Sequence, residues 1–254
     1  MRSIDFFLDA ARGGVNGLEH VRVFGQNPDV DIATDPEDVW DGEGLYNYTA
    51  AGGATYYISS SNNGDVIAVS LTLLTKDALG AWNEETFNVT LVGQTKTAIV
   101  TPSGDLPVRL QSIVNASGTA LAGDVYVYED SIVAAGVPAD ATKIRGKVLI
   151  GNERTLMALY TVPSGKTAYL YGREVGIGSV AAVAVDARFY KRDVGGSFAV
   201  EQRTCIDNAI WARYEDRPPI PQGYAAKTDL RVTAFSVSLD NTAVVAALDL
   251  LLLG

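Results

Sequence analysis

From about residue 54 onward the chain is built of short β-branched or alternating runs, each ended by turn chemistry. The run Thr86-Phe87-Asn88-Val89-Thr90-Leu91-Val92 alternates fully and stops at Gly93. Similar runs occupy 66–75, 106–114, 124–128, 143–150, 156–162, 167–175, 181–190, 198–206, 210–214, 230–239 and 243–253. A period of two places alternate side chains on one face, which is the pattern of a half-buried strand. Asn62-Asn63-Gly64-Asp65, Pro102-Ser103-Gly104-Asp105, Pro163-Ser164-Gly165-Lys166, Asp193-Val194-Gly195-Gly196 and Leu239-Asp240-Asn241 separate them, and these residue types suit tight turns. About a dozen such strands predict an all-β fold, an antiparallel β-sandwich of the jelly-roll kind. No amphipathic stretch of helical length alternates with them, so a parallel α/β sheet is excluded. A short segment at 131–135 is a helix candidate.

The 254 residues are 47% hydrophobic and 20% charged, which excludes bulk disorder. An all-β domain can occupy this whole length, so residues 51–254 read as one body. Val137-Pro138-Ala139-Asp140 offers an alternative division into subdomains 51–138 and 139–254.

Residues 1–50 differ. They hold ten acids and three bases, a difference of −7 within a chain of net charge −10. No sustained period runs through them, so they read as an extended acidic N-terminal arm. Within it, Thr34-Asp35-Pro36-Glu37-Asp38-Val39-Trp40 has a capping residue, a proline at the first helical position and acids in the first turn, which predicts a short helical turn near 35–40. The arm's apolar side chains, Phe6, Phe7, Leu8, Trp40, Tyr46 and Tyr48, cannot be buried by the arm alone. They are the candidate assembly contacts, packing on the chain's own body or on a neighbour.

The sequence is poor in catalytic parts. One cysteine and one histidine allow neither an internal disulfide nor a zinc site. Nucleophilic catalysis would need His20, which sits in a polar stretch and reads as exposed. Cys205 lies in a strand run and reads as a small buried hydrophobe. An acidic cluster at 29–43 invites calcium, yet Ala33, Thr34 and Trp40 stand where a helix–loop–helix calcium loop needs an oxygen, a glycine and a glutamate. Gly172-Arg173-Glu174-Val175-Gly176-Ile177-Gly178 lacks phosphate-loop spacing and reads as a strand end with a bulge or turn. The tyrosines at 56, 57, 126, 128, 169, 171 and 190 fall in strand runs and read as packing. The expectation is therefore a protein with no catalytic residues, no metal and no cofactor. Thirty acids against twenty bases argue against a nucleic-acid partner. The longest apolar run, 242–253, is too short for a bilayer and is interrupted by Asp249; it reads as a buried final strand, with no membrane partner. Acids at positions 5 and 9 also speak against a secretory leader.

Several segments together carry a family resemblance. Val23-Phe24-Gly25-Gln26-Asn27-Pro28-Asp29-Val30-Asp31, followed by 36–46, resembles the leader of an uncharacterised family of virion proteins of marine and freshwater tailed bacteriophages. Trp82-Asn83-Glu84-Glu85-Thr86, the stretch 155–170 and the end at 241–253 are similar to the same family. The resemblance implies a non-enzymatic virion structural protein: a capsid decoration (cement) protein, assembling with other virion proteins and with copies of itself as a trimer. A tail, fibre or head–tail junction component is its alternative. A receptor- or carbohydrate-binding module on the same sandwich is the reading that needs an exposed aromatic patch.

Overall fold

The computed structural model describes residues 15–32, 35–236 and 238–254, and only the backbone of 179–181 and 208–211. Its elements are β1 (Leu18–Val30), β2 (Glu37–Asp38), β3 (Tyr56–Ser60), β4 (Ala68–Lys76), β5 (Trp82–Thr90), β6 (Thr97–Ala98), β7 (Leu106–Asn115), β8 (Val125–Glu129), β9 (Val133–Ala134) and β10 (Val137–Pro138). After a single 3-10 turn at Ala141–Lys143 come β11 (Ile144–Val148), β12 (Leu159–Thr161), β13 (Thr167–Arg192), β14 (Ala199–Asp216), β15 (Gln222–Tyr224), β16 (Asp229–Ser236) and β17 (Thr242–Leu253). The fold is all-β, and every pairing between named strands is antiparallel among the described residues.

The largest sheet runs β1-β17-β13-β16-β12, with β14 and β15 on the other edge of β13 and β2 against β16. Its axis is β13, 26 residues long. One edge of β13 is covered first by β17, from Thr167 to Gly178, and then by β16, from Val185 to Arg192. Between those stretches the pairing with β14 slips, five residues of β13 opposing two of β14. Such bulges bend a strand sharply. The sheet doubles over there, bringing Arg173 of the first half to 6.0 Å from the ring of Phe189 in the second. The sequence reads this strand as two, ending near 175 and resuming at 181. The glycines stand within a continuous strand, and a bulge between Leu170 and Gly172 is present as expected.

Among the described residues two large hydrophobic cores result, beside a small cluster of Leu74, Trp82 and Val108. Val23, Val39, Val162, Leu170, Phe189, Leu230, Leu248 and Leu250 belong to the first. Trp40, Tyr56, Ile58, Leu71, Leu73, Ile113, Val127 and Tyr128 belong to the second, enclosed by the sheets β11-β8-β3-β6 and β5-β4-β7. The segment ending in β12 is the shared wall: Met157 and Leu159 face the second core, while Ala158 and Tyr160 face the first. The chain crosses between the cores at Val39/Trp40 and returns at 157–160. The division at 138/139 is thus replaced by an inserted unit of about 40–157, and the N-terminal strand joins the C-terminal half.

The acidic arm is corrected as well. Its residues 18–30 form β1, paired along β17 from Leu18↔Leu253 to Val30↔Thr242. The inward positions are Val23, Gly25, Asn27 and Val30, so a glycine and a buried amide break the apolar alternation. Asn27 Nδ2 donates to Glu37 Oε2 at 3.0 Å, and its Oδ1 accepts from the Asp29 N–H at 2.9 Å. The helical turn near 35–40 is absent among the described residues; Thr34 lies outside them. Glu37 and Asp38 are extended against β16, and the Val39 N–H donates to the Val232 carbonyl at 2.9 Å. Their carboxylates accept from other loops instead of capping a helix: Glu37 from the Gly44 N–H at 3.1 Å and Asp38 from the Tyr46 N–H at 2.7 Å. The helix candidate at 131–135 is the hairpin β9–β10, turning on Ala135 and Gly136, both at positive φ.

Gly25 marks the tightest contact of β1. A Cβ there would stand 2.1 Å from the Ala158 nitrogen and 2.3 Å from the Val39 carbonyl oxygen. Both obstacles are backbone, so neither can swing away. Overpacking of this kind costs about 1–3 kcal/mol, and at this chain length each kcal/mol lowers the melting midpoint by about 2–4 °C. Gly25→Ala should therefore melt several degrees below wild type in scanning calorimetry, while Gly52→Ala should lose less, because its Cβ position is open and its φ is not positive.

Candidate functional site

At the seam between the cores, aromatic rings and arginines alternate. Arg109 of β7 lies 4.9 Å from the Trp82 ring and 5.0 Å from the Tyr48 ring. Arg192, at the end of β13, lies 4.3 Å from Tyr48 and 4.4 Å from Phe198. Arg231 of β16 lies 3.9 Å from Phe198 and 5.1 Å from Tyr190. The order is Trp82, Arg109, Tyr48, Arg192, Phe198, Arg231, Tyr190. A guanidinium over a ring face is attracted by the ring quadrupole, more strongly when desolvated.

Two buried carboxylates pair with the three arginines of the ladder. Asp229 accepts at Oδ1 from Arg109 Nε at 2.9 Å and Thr161 Oγ1 at 2.5 Å. Its Oδ2 accepts from Arg109 Nη2 at 3.1 Å and from Arg192 Nε and Nη2 at 2.9 and 2.5 Å. Asp38 accepts from Arg231 Nη1 at 3.2 Å. Arg109 also donates from Nη1 to the Thr49 carbonyl at 2.8 Å. Arg109 belongs to the inserted unit and Asp229 to the first sheet, so this ion pair joins the two. Beside it lies a pocket of about 260 Å³ lined by Tyr48, Trp82, Arg109, Arg192, Gly195 and Asp229. Five donors already fill the roughly four lone-pair sites of Asp229. A carboxylate so occupied fixes geometry and has no room to act as a base.

The candidate assembly contacts divide. Trp40 and Tyr46 are buried in the second core, joined edge to face at 5.1 Å, and Tyr46 meets Tyr48 at 4.7 Å. Tyr48 is half-buried within the ladder. These three pack on the chain's own body, because the inserted unit needs their area at the seam. Phe6, Phe7 and Leu8 lie outside the described residues. Of the acids at 29–43, Glu37 and Asp38 are engaged as above, and Asp41 accepts from the Leu156 N–H at 3.1 Å. Among the described residues, no three His, Cys, Asp or Glu side chains are grouped to hold a metal ion. His20 is exposed, 5.9 Å from the ring of Tyr171. Cys205 is exposed, contrary to the sequence reading. Its neighbour Ile206 takes the position facing the core, which turns Cys205 to the other face. No described helix is long and apolar enough to cross a membrane.

Sequence reasoning passed over Arg109, Arg192, Phe198, Asp229 and Arg231. The available signal was a charge inside an apolar run, as in Val108-Arg109-Leu110 and Leu230-Arg231-Val232.

No protein-family model matches the chain, and no curated protein matches its sequence. Among solved structures, a structure of infectious bursal disease virus, Gt strain, is 12% identical over 92% of this chain and 71% of its own, with a TM-score of 0.23. The infectious bursal disease virus VP2 subviral particle is 13% identical over 98% of this chain and 77% of its own, with a TM-score of 0.19. The CBM22-1–CBM22-2 tandem domain of Paenibacillus barcinonensis Xyn10C is 11% identical over 94% and 92%, with a TM-score of 0.22. Likeness at this level carries no argument about role.

Removing one partner of a buried pair leaves a charge uncompensated and costs about 3–5 kcal/mol. Asp229→Ala, which strands both Arg109 and Arg192, should lose stability of this order in urea unfolding. Loss within the range of a surface substitution would show that the seam is not held here.

The same seam sets a pH dependence. Burial raises the Asp38 carboxyl to about 6, against the opposing pull of Arg231, and burial raises Asp41 to about 6 against its hydrogen bond from Leu156. The ordinary value is 3.8, so the folded state binds more protons than the unfolded state between 3.8 and about 6. The stability from this proton uptake is full below that window and lost as pH rises through it. The urea midpoint of wild type relative to Asp41→Asn should therefore fall between pH 4 and 6 and level off above. A flat difference would refute the assignment.

Proposed function

We propose that the chain is a non-catalytic structural protein of a tailed-bacteriophage virion, and within it a capsid decoration (cement) protein. The observation that carries the structural part is the occupied seam: buried carboxylates and arginines are spent on one another, joining two β-units into one body. The virion part rests on the segment resemblance, in which the leader, 82–86, 155–170 and 241–253 occur in order. A cement protein must resist strain without doing chemistry, and an antiparallel β-body locked by a buried seam suits that task. Its partners are other virion proteins and further copies of itself. The carbohydrate-binding reading is less favoured, because Trp82 is buried and Tyr48 half-buried, each against Arg109, so they form no exposed aromatic platform.

Purified particles test this. Mass spectrometry of gradient-purified virions should detect the chain in stoichiometric amount, and antibody gold should mark the capsid surface. Gold on tails would transfer the protein to the tail or junction reading. Absence from purified virions would sink both.

A further inference from the structure

The geometry points to the outer edge of β14 as a self-association surface, where a second copy of this chain adds its own β14 antiparallel about a two-fold axis. This deepens the structural-protein reading and rests on it, by naming the surface through which copies meet.

β14 is 18 residues long and follows β13 around its bend, so its edge consists of two arms that meet near residue 209. It pairs with β13 alone among the described strands, so its other row of N–H and C=O groups faces no strand. None of its described side chains is buried. Long open edges are templates for pairing, and proteins normally cover, shorten or guard them. Ile206 and Ala212 already pack against the first core yet remain half-buried, so a further strand would complete their cover.

The strand's own sequence selects a copy of itself as that further strand. Antiparallel pairing centred on residue 209 places Arg203 opposite Glu215, Thr204 opposite Tyr214, Cys205 opposite Arg213 and Ile206 opposite Ala212. Symmetry produces each contact twice. Opposite charges meet on the outer face, and the two half-buried apolar residues meet on the core face. Shifting the centre to 208 would oppose Arg203 to Arg213. The segments 202–206 and 212–216 thus pair on either side of a bulged middle, where β14 shifts register against β13 between Ile206 and Ala209. An isologous contact of this kind builds even-numbered assemblies, a dimer or a multiple of dimers, in place of the trimer expected from the resemblance.

The chain's one cysteine supplies a probe at the edge itself. In the stated register Cys205 of one copy lies opposite Arg213 of the other, so the two Cys205 Cα atoms are as far apart as Cys205 and Arg213 within one chain, at most about 25 Å because β14 follows the bend of β13 between them. A nitroxide on Cys205 of the otherwise unaltered protein should give an intermolecular dipolar distance in that range, and sedimentation should show an even-numbered assembly. Glu215→Arg should raise the dissociation constant at least about tenfold by facing Arg203 with a like charge. Glu215 is exposed, its ion pairs with Arg217 and Arg213 lie at the surface where such pairs add little, and Arg213 keeps its partner Glu174, so the variant's fold is spared. A monomer at high micromolar concentration, an odd-numbered ring, or a dipolar distance far from this range would overturn the proposal. These outcomes are separate from the virion test: a chain found in particles but monomeric in solution and lacking the Cys205 distance loses this interface and keeps its structural role.

Discussion

One carboxylate governs how the two halves of this protein meet. Asp229 opens β16 in the first sheet and is held by Arg109 from the inserted unit and Arg192 from β13. Burying such a group is costly, so a closed ion pair adds little net stability over a well-packed apolar contact. Its value is selective. A docking of the inserted unit shifted by one residue would leave the buried aspartate with Arg192 alone. The Tyr48 ring of the inserted unit extends the same selection along the seam, because Arg192 of the first sheet covers it only in this alignment.

The seam works because β13 bends. A straight strand of 26 residues would separate the stretch paired with β17 from the stretch paired with β16 by far more than a core's width. The slip against β14 folds the sheet instead, and Phe189 reaches Arg173 and Tyr224 across one core. The same fold delivers Arg192 and Asp229 together, since they are paired residues at the end of the β13–β16 ladder. Main-chain register and the ion pair are thus two descriptions of one constraint.

The strands from 68 onward were largely readable, because their inward positions are apolar and their turns carry Gly, Asn, Asp and Pro. The final strand was readable for the same reason. The failures have local causes. β1 hides its period because Gly25 and Asn27 occupy inward positions, one for a backbone crossing and the other for a hydrogen-bond hub. The stretch at 35–40 has every sign of a helix start, yet its acids satisfy N–H groups from residues 44 and 46. Single-sequence reasoning pairs a capping side chain with the nearest free donors and cannot see those brought by a loop. β13 was split because Gly176 and Gly178 look like a stop, although a bulged strand also uses them. The site was the least readable part, since a lone arginine in an apolar run reveals its partner only once the sheet is folded.

These failures change what the acidic N-terminal region means. Composition alone makes residues 1–50 a solvated, repulsive leader, and charge of that kind favours an arm that reaches outward. Glu37, Asp38 and Asp41 instead serve as internal acceptors, and Trp40 and Tyr46 complete a core. Much of what this region would need for gripping a neighbour is therefore committed within the chain. Among the described residues, surface for contact between copies lies elsewhere, and the described strand with the longest unpaired edge is β14. Its half-covered apolar row reads the same from either end while its charge changes sign, Arg203 against Glu215, which is the self-complementarity a two-fold contact requires.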